Sequence, residues 1–436
     1  MKNITIVILG GTGDLAKKKL LPAILALTQR KVIDRVQVIA TGRRPLDAKA
    51  YAEIVGFEAN AHITLHYLQA DFTQKKSLTD LGPLLAQIED ADTVGRLFYL
   101  AISPSYFKDV AKKISHCCTD TAVFNRIMIE KPFGYDLKSS QQLNKSLTKY
   151  FDEKDIFRVD HYLGKETVQN ILALRLANPF FERTWNSAFI DSIKIIVSEN
   201  MGVGDRIEYY DNSGAVRDMI QNHLLQMLSL VIMDAPQSIT PEDVHEKKRN
   251  ALKALSLAKI SVGQYAGYLD EIQKYGKTHS DTETLVKLEL ASKSKRWKGT
   301  KIILMTGKNL AERYALIEIN YKKEPCTIYC DIKTNPNRLV LHVQPTQDIT
   351  FHMNTLVPAS NMDIAHVNMN FCKECAFSAN SPESYEIILE ECIKGQKTLF
   401  ITEPELASAW KLVDTIRTQM PKPIIYAKGS RIESAV

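Results

Sequence analysis

Short apolar runs alternate with longer stretches of helical spacing in the first part of the chain. Four runs rich in β-branched or aromatic residues predict strands: residues 3–9, 36–41, 96–102 and 126–130. Between the first two, apolar residues recur at helical spacing from Leu15 to Leu27. Alternation of strand and helix is the pattern of a parallel, doubly wound sheet. We therefore predict an α/β domain over residues 1–158.

The pattern changes after residue 158. Helical spacing recurs over residues 165–177, 214–233 and 405–414. Between Ile190 and Thr350, several segments alternate apolar with polar residues, as in residues 192–197 and 338–343. Such alternation is typical of an antiparallel sheet with one solvated or helix-covered face. We predict a second domain over residues 159–436, of α+β class, with a large and mostly antiparallel sheet.

A glycine-rich turn, Gly10-x-x-Gly13-x-x-Ala16, joins the first predicted strand to the first helix. Glycine there lets backbone amides approach the pyrophosphate of a dinucleotide at a helix N-terminus. The spacing departs from the usual G-x-G-x-x-G, and an ordinary strand-to-helix turn is the alternative. Its place directly after the first strand favours a Rossmann-like, dinucleotide-binding domain.

The second predicted strand ends in Gly42-Arg43-Arg44. An NAD-binding domain normally has an acidic residue there, which holds the ribose hydroxyls. Two guanidinium groups instead suit the 2′-phosphate of NADP, although a solvated arginine pair is the alternative. We predict NADP as the cofactor, with weak use of NAD.

The composition indicates a soluble globular protein, since 45% of the 436 residues are apolar and 24% are charged. That length favours two domains over one. The chain has no run of about eighteen apolar residues that would predict a membrane span, and its N-terminal apolar run is too short for a signal peptide. We therefore expect a cytoplasmic protein without a membrane partner.

The net charge of +6 is spread along the chain and forms no long basic block. This distribution fits anionic small-molecule substrates better than nucleic acid, which we do not expect as a partner. Four of the seven cysteines have a spacing that could hold zinc: Cys326, Cys330, Cys372 and Cys375. We favour reduced structural thiols and expect no metal.

Four clusters of polar residues are candidates for chemistry: residues 129–134, 158–165, 216–223, and 306–308 with Arg313. His161 and Lys165 lie four residues apart, so on a helix they would share one face and could grip a phosphate together. His223 lies in an apolar helical run, where a lone histidine is usually a core residue. An acid on another segment would make it a candidate general base.

Several segments resemble the glucose-6-phosphate dehydrogenase family, in the same order along the chain. They are GGTGDLAKKKLLPAI, EKPFG, RVDHYLGKETVQN, RDMIQNHLLQM and RWKGTKIILMTGKNLAER. The resemblance covers essentially the whole chain, and the DHYLGK block is its most specific part. It implies oxidation of glucose 6-phosphate at C1 to the lactone, the first step of the oxidative pentose phosphate pathway, by a homodimer or homotetramer.

The resemblance also implies residue roles. His223 would take the proton from the C1 hydroxyl, and Asp160 would stabilise the resulting imidazolium. The implied contacts to the sugar phosphate are His161, Tyr162, Lys165 and Arg313, and those to the sugar are Lys131, Glu199, Asp218 and Lys308. The implied cofactor positions are Gly10, Thr12, Gly13, Asp14, Leu15, Lys19, Arg43 and Lys131.

Two rival hypotheses stay open at this point. The chain is shorter than most of the family between His223 and Lys308 and near its C-terminus, which leaves room for the same hydride chemistry on a different sugar phosphate. The other rival is a catalytically silent, NADP-sensing binding protein on the same fold. Loss of His223 or Asp160 would have favoured the silent protein, and both are present.

Overall fold

The computed structural model describes residues 3–74, 77–117, 124–323, 334–360, 362–371 and 382–435. The chain divides into two compact units. The first contains residues 1–164 and 382–406, and the second contains residues 165–381 and 407–436. The division falls just after the predicted boundary at residue 158. The return of residues 382–406 to the first unit was not part of the sequence prediction.

The strands of the described residues are, in chain order, β1 Asn3–Leu9, β2 Arg35–Gly42, β3 Ile63–Gln69, β4 Thr93–Leu100, β5 Phe124–Ile129, β6 Ile156–Val159, β7 Ile190–Ser198, β8 Leu255–Tyr265, β9 Leu285–Ser292, β10 Lys301–Gly307, β11 Tyr314–Tyr321, β12 Arg338–Gln344, β13 Ile349–Leu356, β14 Ile364–Phe371, β15 Phe400–Ile401 and β16 Ile424–Tyr426. All four strand segments predicted in the first domain are found, whereas β3 and β6 were not predicted.

The α-helices are α1 Leu21–Gln29, α2 Ala48–Val55, α3 Leu81–Ile88, α4 Phe107–Cys117, α5 Leu137–Leu147, α6 Glu166–Leu176, α7 Pro179–Thr184, α8 Ile207–Ala215, α9 Leu225–Ile232, α10 Pro241–Lys253, α11 Tyr268–Gln273, α12 Ser384–Lys394 and α13 Glu403–Thr418. Within the described ranges, two segments are π-helical, π1 Ala16–Leu20 and π2 Val216–Leu224. Short 3₁₀ turns span Pro104–Tyr106, Glu153–Asp155, Gly204–Arg206 and Ile432–Ser434. No helix in the described ranges is long and apolar enough to cross a membrane.

The first unit is built on a parallel sheet in the order β3-β2-β1-β4-β5-β6, with the short β15 antiparallel at the β6 edge. This is the strand order of a dinucleotide-binding doubly wound fold. The central strands are buried on both faces, so they read as continuous apolar runs rather than alternating ones. The predicted Rossmann-like α/β fold is confirmed.

The late segment completes the core of this first unit. Ile388, Leu389 and Ile393 on α12 are buried in the same apolar cluster as Ile24 and Leu27 on α1. The guanidinium of Arg126 donates to the backbone oxygens of Cys392 and Ile393, each at 2.7 Å. These carbonyls lie at the C-terminal end of α12, where a cation is favoured by the helix dipole.

The second unit has a large sheet in the order β14-β13-β12-β11-β7-β10-β9-β8-β16. Its pairs are antiparallel except for β7 with β10 and β8 with β16. The predicted α+β class and mostly antiparallel sheet are confirmed, and the three helical predictions correspond to α6, to π2 with α9, and to α13. The four cysteines considered as zinc ligands lie outside the described residues.

Candidate active site

The glycine turn is held tightly between three neighbouring elements. Gly10 has φ of +89°, and a Cβ there would lie 2.4 Å from the backbone oxygen of Ala101. The Gly11 amide donates to Thr41 O at 2.7 Å, and the buried Tyr51 hydroxyl donates to Gly11 O at 2.8 Å. Only glycine fits at Gly10 because of both its backbone angle and the lack of space. The turn leads into π1, so it suits the close backbone approach that a pyrophosphate needs.

Other candidate residues of the first unit follow the carboxyl ends of parallel strands. The residues that come directly after β1, β2, β4, β5 and β6 are Gly10, Arg43, Ala101, Glu130 and Asp160. Because parallel strands end at one edge of a sheet, these positions share that edge. In this strand order a dinucleotide lies across the switch point between β1 and β4. The structure therefore fits the dinucleotide site expected from the glycine turn.

The two arginines after β2, Arg43 and Arg44, are exposed. Their backbone oxygens accept hydrogen bonds from side chains of β3. Gln69 donates to Arg43 O at 3.0 Å, and the Tyr67 hydroxyl donates to Arg44 O at 2.9 Å. Hydrogen bonds from Thr73, and to a smaller extent the charge of Arg43, lower the pKa of the exposed Asp71. The side chains of both arginines are thus presented to solvent at the position expected for a 2′-phosphate.

The other cofactor candidates lie at the start of the first helical segment. Lys19 pairs with Glu383 at 2.9 Å, and Asp14 pairs with Lys18 at 2.8 Å. All four side chains are exposed, so these ion pairs are weak and a bound anion competes with them easily. Thr12 and Leu15 are partly buried, and Leu15 packs against the apolar core.

The residue after β5, Glu130, carries a partly buried carboxylate. Burial raises the pKa of Glu130, and a 2.5 Å hydrogen bond from the Tyr99 hydroxyl opposes that shift. The Tyr385 hydroxyl donates to the same oxygen at 3.3 Å. Lys131 follows, joined by a cis peptide to Pro132. The late segment therefore reaches the candidate site through Tyr385, which the sequence analysis did not identify.

The residues after β6 form a turn whose first member is Asp160. Its side chain is 2% exposed, and its Oδ1 accepts a hydrogen bond from the Tyr162 amide at 3.0 Å. The His161 ring lies nearly parallel to that of Tyr385, with centroids 6.2 Å apart. These contacts fix the Asp160 carboxylate and the His161 ring within the first unit.

The helical-face argument for His161 and Lys165 is wrong. Residues 161–164 form turns, and Lys165, with ψ of 130°, lies just before α6 in extended conformation. The glycine at position 164 packs closely on Ser384 and Ile388, and a Cβ there would lie 2.6 Å from Ser384 O. The spacing of four residues therefore does not place the two side chains on one helical face.

In the second unit, register brings three candidate residues to one edge of the large sheet. Parallel β7 and β10 pair Ser198 with Gly307, so Glu199 and Lys308 leave the sheet side by side. Tyr314 at the start of β11 also pairs with Ser198, which puts the exposed Arg313 at the same edge. Sequence spacing alone could not show this, because Glu199 and Lys308 are far apart along the chain.

Glu199 and Lys308 form an ion pair at that edge. Lys308 is 5% exposed, and its ammonium lies 5.3 Å from the centre of the Tyr210 ring. The Glu199 amide donates to Gly307 O at 2.9 Å, and the Leu310 amide donates to Glu199 O at 3.0 Å. The pair is therefore held by backbone hydrogen bonds on both sides as well as by charge.

Asp218 and His223 lie on π2, and both are buried, His223 to 1% exposure. In an α-helix, residues five apart are separated by about 140° around the axis. Hydrogen bonding from residue i+5 to i, as from the Leu225 amide to Ile220 O, widens the turn and brings such residues towards one face. The sequence predicted a helix here but not its π character.

The C-terminal end of α9 is satisfied by buried side chains. Arg175 donates to Leu230 O at 2.7 Å and to Met233 O at 2.8 Å. The indole nitrogens of Trp185 and Trp297 donate to Val231 O at 2.7 Å and to Ile232 O at 2.6 Å. Carbonyls at a helix end have no partner within the helix, so these donors fix where the helix ends.

A glycine turn in a parallel sheet and polar residues at the edge of a second sheet define a two-domain oxidoreductase that uses a nicotinamide dinucleotide. Two family models match the chain: "Glucose-6-phosphate dehydrogenase, NAD binding domain" over residues 7–170 and "Glucose-6-phosphate dehydrogenase, C-terminal domain" over residues 172–435. The chain therefore belongs to the glucose-6-phosphate dehydrogenase family.

Similar proteins cover nearly the whole chain. A glucose-6-phosphate 1-dehydrogenase of Bacillus subtilis is 37% identical over 441 residues, which span 94% of this chain and 90% of that protein. A chloroplastic one of Spinacia oleracea is 32% identical over 464 residues, with 98% and 81% covered. A solved glucose-6-phosphate dehydrogenase in complex with its substrate glucose 6-phosphate has a TM-score of 0.91 and 30% identity, with 99% and 95% covered.

Proposed function

We propose that this chain oxidises glucose 6-phosphate at C1 to the 6-phosphogluconolactone, the first step of the oxidative pentose phosphate pathway. The observation that carries the proposal is the match of both halves of the chain to glucose-6-phosphate dehydrogenases, with the candidate base and carboxylate present in the matched regions. The similar solved structure, which holds glucose 6-phosphate, supports the same substrate.

In the proposed reaction, the neutral imidazole of His223 accepts the proton of the C1 hydroxyl as the C1 hydride leaves. The bound dinucleotide supplies the hydride acceptor. The carboxylate of Asp160 stabilises the imidazolium that forms. Both side chains are buried, and charge interactions are stronger where water is excluded.

The remaining candidates hold the substrate. Lys131, Glu199, Asp218 and Lys308 bind the sugar hydroxyls, and His161, Tyr162, Lys165 and Arg313 bind the phosphate. The fixed Glu199–Lys308 pair supports this assignment, because it offers an acceptor and a donor at the same sheet edge as Arg313. For the phosphate, support comes from family membership and from the positive charge of Lys165 and Arg313.

We propose NADP as the preferred cofactor, with weak use of NAD. Gly10, Thr12, Gly13, Asp14 and Leu15 would hold the pyrophosphate end, and Lys131 would lie near the nicotinamide. Arg43 would bind the 2′-phosphate, supported by Arg44 and Lys19. The exposed side chains of the two arginines after β2, with no acidic residue there, favour this choice.

The function is tested by following reduced-cofactor absorbance with glucose 6-phosphate, other sugar phosphates and free glucose. A histidine base contributes about 10²–10⁴-fold, so we expect His223→Asn to lower kcat by that factor and to change substrate affinity only a few-fold. Asp160→Asn should also lower kcat strongly, and the double variant should be little worse than His223→Asn because the pair acts as one unit.

His245→Asn is the matched control, since His245 is another buried histidine of the second unit and should leave kcat nearly unchanged. Near-wild-type turnover by His223→Asn would contradict the assignment of the base. Faster turnover of another sugar phosphate would favour a different substrate, and cofactor binding without any turnover would favour a silent binding protein.

We also propose that the protein is a cytoplasmic homodimer or homotetramer, in keeping with its family. Light scattering after size exclusion would measure the mass of the assembly. A monomer at micromolar concentration would contradict this part of the proposal.

A further inference from the structure

We propose that Glu283 is a positioning residue that fixes the start of the helix carrying Asp218 and His223, and so sets the place of the base relative to the Glu199–Lys308 pair. The inference rests on the proposed function, since it assigns Glu283 a role in the same reaction. All of the residues concerned belong to the second unit.

The helix that carries the base begins at a break in the backbone. Gly214 has φ of +69° and ψ of 173°, which are not helical values, and the helix resumes at Ala215. The first amides of a helix have no carbonyl partner within it. Here Glu283 satisfies two of them, because Ala215 donates to its backbone oxygen at 3.0 Å and Val216 donates to its Oε1 at 2.9 Å.

The carboxylate fits against the break with no room to spare. A Cβ on Gly214 would lie 2.3 Å from Glu283 Oε1. Glu283 is 4% exposed, and an acidic group at a helix N-terminus is favoured by the helix dipole. The position of the carboxylate and the position of the first turn of π2 therefore determine each other.

The next residue ties this contact to the Glu199–Lys308 pair. Thr284 O accepts the Lys308 amide at 2.9 Å. The Thr284 hydroxyl accepts from the Tyr265 amide at 3.0 Å and contacts the Tyr426 hydroxyl at 2.9 Å, which donates to Lys308 O at 2.6 Å. Two adjacent residues thus hold the helix of the base on one side and the backbone of Lys308 on the other.

Tyr210 contacts both Glu283 and Lys308. Burial, followed by the charges of Asp218, Glu283 and Glu199 among others, raises the pKa of Tyr210. Its hydroxyl donates to Glu283 O at 3.4 Å, and its ring faces the Lys308 ammonium. Glu283 is therefore packed against the candidate site and is not a remote structural residue.

Burial raises the pKa of Glu283 to about 7, although the Val216 amide stabilises its charged form. A buried carboxylate that is hard to ionise is a poor choice for stability alone. Natural proteins keep such residues where function needs them. This supports a positioning role over a purely structural one.

The test compares Glu283→Ala, Glu283→Asp and Glu283→Gln in the full chain, with glucose 6-phosphate carrying hydrogen or deuterium at C1. Misplacing a catalytic group by about 1 Å can cost roughly 100-fold. We expect Ala and Asp to lower kcat by about 10- to 100-fold, to leave KM within about threefold and to raise the isotope effect on kcat. Glutamine keeps an oxygen in reach of Val216 and should retain kcat within about threefold.

Glu318→Ala is the matched control, because it removes another mostly buried carboxylate of the same unit from its pairs with Lys194 and Arg338. It should leave kcat and the isotope effect unchanged.

If Glu283→Ala does not fold, the comparison of kcat between Glu283→Gln and Glu283→Asp tests the positioning role. Rescue by Asp but not by Gln would overturn the inference, as would a Glu283→Ala enzyme with kcat within twofold of wild type. A wild-type protein without turnover would instead contradict the proposed function itself.

Discussion

Glu283 carries its charge at a cost to the folded state. Burial raises its pKa from an ordinary value of 4.5 to about 7, with the Val216 hydrogen bond acting in the opposite direction. The folded protein therefore holds this proton at pH values where the unfolded chain has released it, and the free energy of unfolding falls as pH rises from about 4.5 to 7. Above pH 7 the full penalty of about 3 kcal/mol is present.

Replacing Glu283 with glutamine should remove that penalty. We expect Glu283→Gln to raise the free energy of unfolding by up to about 3 kcal/mol at pH 8 and by less than about 1 kcal/mol at pH 5, because pH 5 lies only just above the pKa of the unfolded chain. Urea unfolding at the two pH values measures the difference. An effect that does not change between pH 5 and pH 8 would contradict the raised pKa.

Glu318 provides a control of opposite sign. Burial acts to raise its pKa, but hydrogen bonds from Asn320 and Lys194 outweigh burial and lower it. Its contribution to stability is present above the pKa of the unfolded chain and is lost as pH falls through the folded value. Glu318→Gln should therefore destabilise the protein at pH 8 and less so in acid.

Arg43 should decide the choice between the two dinucleotides. A charge-assisted hydrogen bond contributes roughly 1.5–3 kcal/mol, so we expect Arg43→Ala to weaken NADP by about tenfold or more and to leave NAD nearly unchanged. The ratio of kcat/KM for the two cofactors measures the effect, and Arg44→Ala should have a smaller one. A ratio that does not change, or a wild-type preference for NAD, would show that these arginines are only solvated surface residues.

At the level of the element, the helix of the base is fixed at both ends by buried side chains. Trp185→Phe and Trp297→Phe each leave a buried carbonyl at the end of α9 without its donor. Each loss should lower the free energy of unfolding by about 1–3 kcal/mol. Chemical denaturation would measure it, and a variant as stable as wild type would mean that water replaces the indole.

The sequence predicted this helix well but not its details. The apolar run over residues 214–233 is longer than a strand, which predicts a helix, but residues 218–233 are all buried, so their burial does not distinguish α from π geometry. The change to π geometry depends on which carbonyl each amide selects, and that choice leaves no mark in the pattern of apolar residues. The glycine at position 214 was a usable signal for the break, whereas nothing in the sequence connected it to Glu283.

For the whole molecule, the pattern of apolar residues predicted the α/β class of the first domain and the α+β class of the second. It did not predict that residues 382–406 belong to the first unit. An amphipathic helix such as α12 shows that it buries one face, without showing against what. The structure supplies the partner, because Ile388 and Ile393 are buried in the core of the first unit. The same limit applied to Glu199 and Lys308, which strand register brings together.

The first unit should therefore not fold from its N-terminal part alone. We expect a fragment of residues 1–164 to lack cooperative unfolding, because the buried face that α12 covers would be exposed to water. A fragment with residues 382–406 joined through a flexible linker should regain a cooperative transition, measured by circular dichroism. The matched control replaces Ile388 and Ile393 with Asp in the linked segment, and cooperative unfolding of residues 1–164 alone would contradict the prediction.

The first unit is made of two separate parts of the chain, residues 1–164 and 382–406, and this separation matters during translation. The ribosome adds roughly 5–20 residues per second, so residue 406 emerges roughly 10–50 s after residue 164. Strands β7 to β14 all lie in the intervening segment, and most of the large sheet can pair before α12 exists. The dinucleotide-binding half, although its first strands are translated first, is thus not complete until residue 406 has emerged, and the nascent chain carries its uncovered apolar face while residues 165–381 are added.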